Sequence, residues 1–94
     1  MKQIKYKEWD CYVDITKSYG NGQKAILLHE VGTGELIAKA TVCLGTEMPH
    51  NVTLVKDYSE NVGMLKALVD NGVVEPTGVI YPAGFREVHE VTIL

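Results

Sequence analysis

Apolar and polar residues alternate along most of this 94-residue chain. One segment, Asp57 to Gly78, breaks that period and carries helical spacing between start and stop signals. A chain patterned this way falls in the α+β class. The expected architecture is an antiparallel β-sheet, a meander of three strands plus C-terminal strands, with one α-helix near residues 60–71 packed on one face. The length suits a single domain covering 1–94. Hydrophobic residues at 46% and charged residues at 22% are ordinary for a globular domain and argue against disorder. With one Trp and one Phe, the core must come mainly from Val, Leu, Ile, Ala and Tyr.

Cys11, Val13, Ile15 and Tyr19 alternate with Tyr12, Asp14, Thr16 and Ser18, which predicts a half-buried strand over 11–19. Gly20-Asn21-Gly22 supplies residues that tolerate positive φ, so a tight turn follows. Ala25 to Val31 reads as a central strand, apolar on both faces. After the turn at Gly32-Thr33-Gly34, residues 36–44 give the cleanest alternation in the chain. Pro49 bars a regular helix in the loop from Gly45 to His50. Val52 to Val55 fits either a short fourth strand or an extended arm. Val79 to Tyr81 reads as a strand, Pro82-Ala83-Gly84 as a turn or bulge, and Phe85 to Leu94 as the last strand.

The helical segment offers Ser59 and Asn61 as N-caps, with Asp57 and Glu60 at the positive end of the dipole. Val62, Leu65, Leu68 and Val69 form the apolar stripe, with Met64 at its edge. Gly72 suits the left-handed position after the last turn, with Val73 folding back toward Leu68. Three turns are too few for independent stability, so the stripe must pack on the sheet.

Twelve acidic and nine basic residues give a net charge of −3. That disfavours a nucleic-acid binder, which carries a basic patch. Cys11 and Cys43 make no disulfide framework and read as small hydrophobes in strand patterns, with a bridge left open should their strands pair. The N-terminus has a basic start without an apolar run behind it, which predicts no signal peptide, no membrane span and a cytoplasmic location.

No motif for chemistry stands out. His29, His50 and His89 have no ligand neighbour at short spacing, so no metal site is expected. Ser59 and Glu60 resemble a nucleophile and an acid, but a cap and a first-turn carboxylate account for both. Glu87 and Glu90 read as solvated acids. The Gly-rich turns lack the following helix that would cradle a phosphate, and no cofactor is expected. Tyr6, Trp9 and Tyr12 cluster near the N-terminus, while Tyr81 and Phe85 flank Pro82. Such aromatics suit core packing, protein partners or single-stranded nucleic acid. Lys2, Lys5, Lys7, Lys17 and Lys24 give a weak local positive bias.

A family resemblance rests on Tyr19-Gly20-Asn21-Gly22, Ala25-Ile26, Leu28, Gly34-Glu35, Ala38, Thr41-Val42 and Leu44. It continues through Val55-Lys56-Asp57-Tyr58-Ser59-Glu60-Asn61, Gly63-Met64-Leu65, Leu68, Gly72-Val73-Val74, Glu75-Pro76-Thr77-Gly78 and Gly84-Phe85. Across roughly residues 12–94 the chain resembles a small domain-of-unknown-function family of plasmids, conjugative elements and prophages in gut bacteria. The resemblance brings no catalytic residues. Together with the missing catalytic motif, it implies a non-enzymatic accessory protein of a mobile element that binds a host or element protein. An inhibitor of a host defence system, of the anti-CRISPR or anti-restriction type, is the leading form. The alternative is a small nucleic-acid-binding module using sheet aromatics and the N-terminal lysines. The candidate contact residues are Tyr6, Trp9, Tyr12, Lys56, Tyr58 and Tyr81, on an exposed sheet edge or the N-terminal aromatic cluster. Lys56 and Tyr58 have no role the fold demands.

Overall fold

The computed structural model describes residues 2–94. Its elements run β1 (Gln3–Tyr6), β2 (Trp9–Asp14), β3 (Leu27–Glu30), β4 (Leu36–Lys39), β5 (Val52–Lys56), a 3-10 turn (Ser59–Asn61), α1 (Met64–Asp70), β6 (Val74–Ala83) and β7 (Arg86–Ile93). They build two antiparallel sheets, β1-β2-β3-β4 and β5-β7-β6, with one short helix, so the α+β expectation holds.

The long alternation of residues 36–44 serves both sheets. Leu36 to Lys39 pairs with β3, while the next three residues cross to β5. There the Val42 N–H donates to Leu54 O (3.1 Å), the Lys56 N–H donates to Ala40 O (3.0 Å), and Thr41 bridges Val55. The sheets are thereby sewn into one curved surface. Helix α1 packs on β1, β5 and β6, so it touches strands at both ends of that surface. Ile4, Tyr6, Cys11, Val13, Ile26, Leu28, Ala38 and Ala40 from the first sheet meet Val55, Val74 and Val91 from the second. Met64, Leu68 and Val73 close the cluster.

β1 is not evident in the sequence, because its apolar face is only Ile4 and Tyr6, too short to establish a period. Val52 to Lys56 is a strand and not an arm. β2 ends at Asp14 instead of running to Tyr19. The Asp14 carboxylate accepts both the Thr16 N–H (2.8 Å) and the Thr16 hydroxyl (2.6 Å), and this local turn competes with the ladder. Strand β6 runs through Pro76, and through Pro82 where a turn or bulge was expected. It lies at the sheet edge and shifts register between Pro76 and Ile80, which is where a strand tolerates proline. Gly84 (φ +66°) and Phe85 make the two-residue turn into β7.

The helix starts later than its caps suggested. Neither Ser59 nor Asn61 caps it. Gly63, left-handed at φ +88°, takes the N-cap position, and the remote Asp57 carboxylate accepts the Leu65 N–H at 3.0 Å. Val62 therefore lies outside α1 and is exposed, and Val69 is also exposed, whereas Met64 and Leu68 are fully buried. The inward stripe is Met64-Leu68, flanked by half-buried Leu65 and Ala67. The expected ending is present: Gly72 has φ +69°, its N–H donates to Val69 O (3.0 Å), and the Val73 N–H donates to Leu68 O (2.9 Å). Cys11 and Cys43 are both free, Cys11 deep in β2 and Cys43 half-buried beyond β4, so their segments do not pair.

Candidate functional site

Side chains directly opposite each other on antiparallel strands share a face. The β5–β7–β6 register puts Lys56, Val88 and Tyr81 in one row, with Leu54 and Glu90 in the next along β5 and β7. The main core lies on the other side, with Val55 and Val91, so this row belongs to the outer face, where Leu54 and Val88 are nonetheless fully buried and Lys56, Tyr81 and Glu90 half-buried. Arg86, two residues before Val88, projects on the same outer face and lies over the Tyr58 ring, 5.5 Å from its centre.

The carboxylates of this region are engaged. Glu90 accepts the Tyr81 hydroxyl at 2.7 Å and the Thr77 hydroxyl at 2.8 Å. The bond to Glu90, with some burial, holds the Tyr81 hydroxyl above its ordinary pKa. Glu60 pairs with Lys56 at 3.3 Å, and its own backbone N–H and then this ammonium lower its pKa. Arg86 is exposed and makes no hydrogen bond or ion pair among the described residues. Beside it Phe85, at the tip of the β6–β7 hairpin, is fully exposed. Val79 and Ile80 are exposed further down β6.

The loop that carries Tyr58 is anchored from three sides. The Tyr6 hydroxyl donates to Glu60 O (3.1 Å) and Val62 O (3.2 Å), and Lys7 Nζ donates to Glu60 O (2.9 Å). Buried Asn61 donates from Nδ2 to Lys39 O at 2.8 Å. Lys7 (φ +54°) and Ser59 (φ +53°) are the non-glycine residues in left-handed conformation among the described residues, and both adjoin this junction.

No family model, curated protein or solved structure matches this chain.

Of the six residues singled out from the sequence, Lys56, Tyr58 and Tyr81 come together at the outer face of the second sheet. The N-terminal aromatics do not form a surface cluster. Tyr6 and Trp9 are paired across the β1–β2 hairpin, but Tyr6 is buried and its hydroxyl braces the Glu60 loop, leaving Trp9 alone partly exposed. Tyr12 points to the opposite side and stacks on His29, with ring centres 5.2 Å apart and 17° between planes. The N-terminal lysines are dispersed: Lys5 stands across from Asp10, and Lys7 is bonded to the Glu60 loop. Arg86 went unnoticed because nothing local marks it. Only the register of β7 against β5 brings it to Tyr58.

Asp14, His29 and Cys11 lie within the first sheet and are engaged there. His29 Nδ1 faces Gly34 O at 3.2 Å, while buried Nε2 lies 3.4 Å from Asp14 Oδ2 without a hydrogen bond. The two Thr16 hydrogen bonds, ahead of His29, lower the Asp14 pKa. Burial, then the Asp10 and Glu30 carboxylates, push the Cys11 thiol up, which makes it a poor nucleophile. The Ser59 hydroxyl has no base within hydrogen-bond reach among the described residues. No three metal-ligating side chains converge among them either.

Proposed function

We propose that this chain acts by binding another protein through the β6–β7 hairpin and the adjoining Tyr58 loop. One observation carries the reading: Phe85 stands fully exposed at the tip of a hairpin whose strands have ten and eight residues. A two-residue turn needs Gly84 for its backbone but does not need an aromatic next to it. Leaving a Phe in water forgoes about 1.5–3 kcal/mol of burial, which a partner pocket recovers. Tyr58 and Arg86 beside it are residue types that dominate binding energy at interfaces.

The resemblance supports a partner in the bacterial cytoplasm, a host or element protein, with a defence enzyme as the leading case. No helix among the described residues is long and apolar enough to cross a membrane. The test is affinity capture from a native host with the wild-type chain and a Phe85→Ser variant. A specific protein retained by the wild type should be lost by the variant while its melting temperature stays unchanged. Equal capture by both chains, or no captured protein, refutes the reading. The nucleic-acid alternative would show instead as salt-dependent retention of DNA or RNA by the same face.

A further inference from the structure

Resting on the protein-binding reading, we infer that the free edge of β6 is closed to strand partners, and that the partner takes the β6–β7 hairpin by its side chains, in a concave apolar pocket that receives Phe85. The backbone of β6 decides the first half and its side chains the second.

With residues 40–42 joined to β5, the two sheets form one surface whose end strands are β1 and β6. The free edge of an end strand is a row of N–H and C=O groups on which an extended segment can add. Register fixes which residues of β6 turn these groups outward. The Ile93 N–H donates to Asn51 O at 2.7 Å, on the β5 side, and direction alternates along a strand. Leu94, Thr92, Val88 and Arg86 therefore face β6, and the Leu94 N–H does donate to Val73 O at 3.0 Å. Glu75, Tyr81 and Ala83, opposite the last three, are bonded inward, which leaves Val74, Pro76, Ile80 and Pro82 turned outward. Val74 is buried, so the accessible edge starts at Pro76.

On that edge both prolines stand at outward positions, where they offer no N–H. Between them Thr77, Gly78 and Val79 lie opposite Glu90 alone, a bulge that bends the edge. Gly78 is left-handed at φ +91°, and the Val79 N–H is taken by the Thr77 hydroxyl at 3.2 Å. From Pro76 to Pro82, Ile80 is the paired residue that still turns an N–H outward, and one bond makes no ladder.

Side chains are offered where the backbone is withheld. Val79 and Ile80 are exposed, and Phe85 fully so. The pairing of β7 with β5 ends at Lys56 and Val88, so residues 82–87 form a two-stranded projection beyond it. A convex tip carrying a solvated aromatic ring matches a concave apolar pocket, the setting in which aromatic anchors contribute most. The occupant is therefore a folded protein with such a pocket. Pro76, the bulge and Pro82 exclude an extended segment added to β6, and equally a second copy of this chain paired edge to edge.

The edge is tested by combining Pro76→Thr with Pro82→Thr, which returns an N–H to both outward positions. Both sites are exposed, so the far-UV circular dichroism spectrum should hold. In sedimentation velocity the double variant should associate progressively with concentration while the wild type remains the slower species. Adding Phe85→Ser should leave that association in place, because the backbone makes the contact. Wild type and double variant sedimenting alike, or association that Phe85→Ser abolishes, overturns the closed edge. The pocket is tested by capture from the native host with Phe85→Trp. A ring too large for a pocket fitted to Phe should cut retention about tenfold or more, the scale on which an overfilled site resists. Phe85→Ser losing the captured protein while Phe85→Trp keeps it overturns the pocket alone. Retention by Phe85→Ser as well overturns the protein-binding reading beneath it.

Discussion

Replacing Leu68 by Ala tests how α1 is seated. Leu68 is fully buried and packs where the helix meets both sheets. Truncating a buried Leu costs about 2–5 kcal/mol, from lost transfer energy plus the cavity left behind. A chain of 94 residues has about 5–14 kcal/mol in total at ordinary stability per residue. The substitution should therefore remove a large share of it and lower the melting temperature by roughly 10–30 °C. Val69 is next in sequence but exposed. Val69→Ala deletes partly solvated methyl groups and gains about 0.5 kcal/mol of helix propensity, so its net effect should lie within about 0.5 kcal/mol of zero. Urea unfolding followed by far-UV circular dichroism measures both variants against the wild type. If Val69→Ala costs as much as Leu68→Ala, the helix faces the way its sequence stripe suggested, and the packing described for Met64 and Leu68 is wrong.

Gly72→Ala should destabilise by about 1–2 kcal/mol in the same unfolding assay, because it places a Cβ on a backbone at φ +69°; a stabilised variant would contradict the helix ending. The Asp14 pKa is lower folded than unfolded, so the stability this group contributes is complete above its ordinary value of 3.8 and drains away as pH falls below it. Asp14→Asn should flatten that acid limb in melting temperatures recorded from neutral to acid pH, and an unchanged limb would show that the Thr16 turn contributes nothing. In native protein, iodoacetamide followed by mass spectrometry should label half-buried Cys43 before fully buried Cys11, whose thiol pKa is raised; labelling of Cys11 first would place it outside the core.

Much of the fold was legible because hydrophobic period is a local signal. The alternation of residues 36–44 identified a strand, although it could not reveal that the run is shared between two sheets, since that sharing is a pairing and not a pattern. The stop at Gly72-Val73 was legible because a left-handed ending has one favoured residue type. The start was not, because Ser59 and Asn61 are good caps by type but are committed elsewhere: Ser59 opens a 3-10 turn, and Asn61 is bonded to Lys39 O. Lys56 and Tyr58 stood out in the sequence as residues the fold did not demand, and Tyr81 as an aromatic flanking Pro82. Tyr6 misled because aromatic character does not say which side of a two-residue-period strand faces in, and a four-residue strand is too short to decide it.

The Tyr58 loop carries both fold and candidate site, and this bears on how rigid the site is. Holding a non-glycine residue in left-handed conformation costs about 1–2 kcal/mol, and both Lys7 and Ser59 are so held at this junction. Such strain persists where surrounding contacts over-determine the backbone. Here those contacts are explicit: the Tyr6 hydroxyl and Lys7 Nζ both bond Glu60 O, and Asn61 ties the loop to β4. A loop fixed at Glu60 and Asn61 leaves Tyr58 little freedom. Arg86, the first residue of β7, meets that ring where the strand pairs with β6 alone, its pairing with β5 beginning at Val88. The backbone that carries the Tyr58 ring is thus held by contacts within the fold. A side chain held on a fixed backbone loses less entropy on meeting a partner than one on a free loop. The strained junction and the candidate site are then two parts of one arrangement: the left-handed residues and the bonds to Glu60 and Asn61 fix the backbone from which Tyr58 projects.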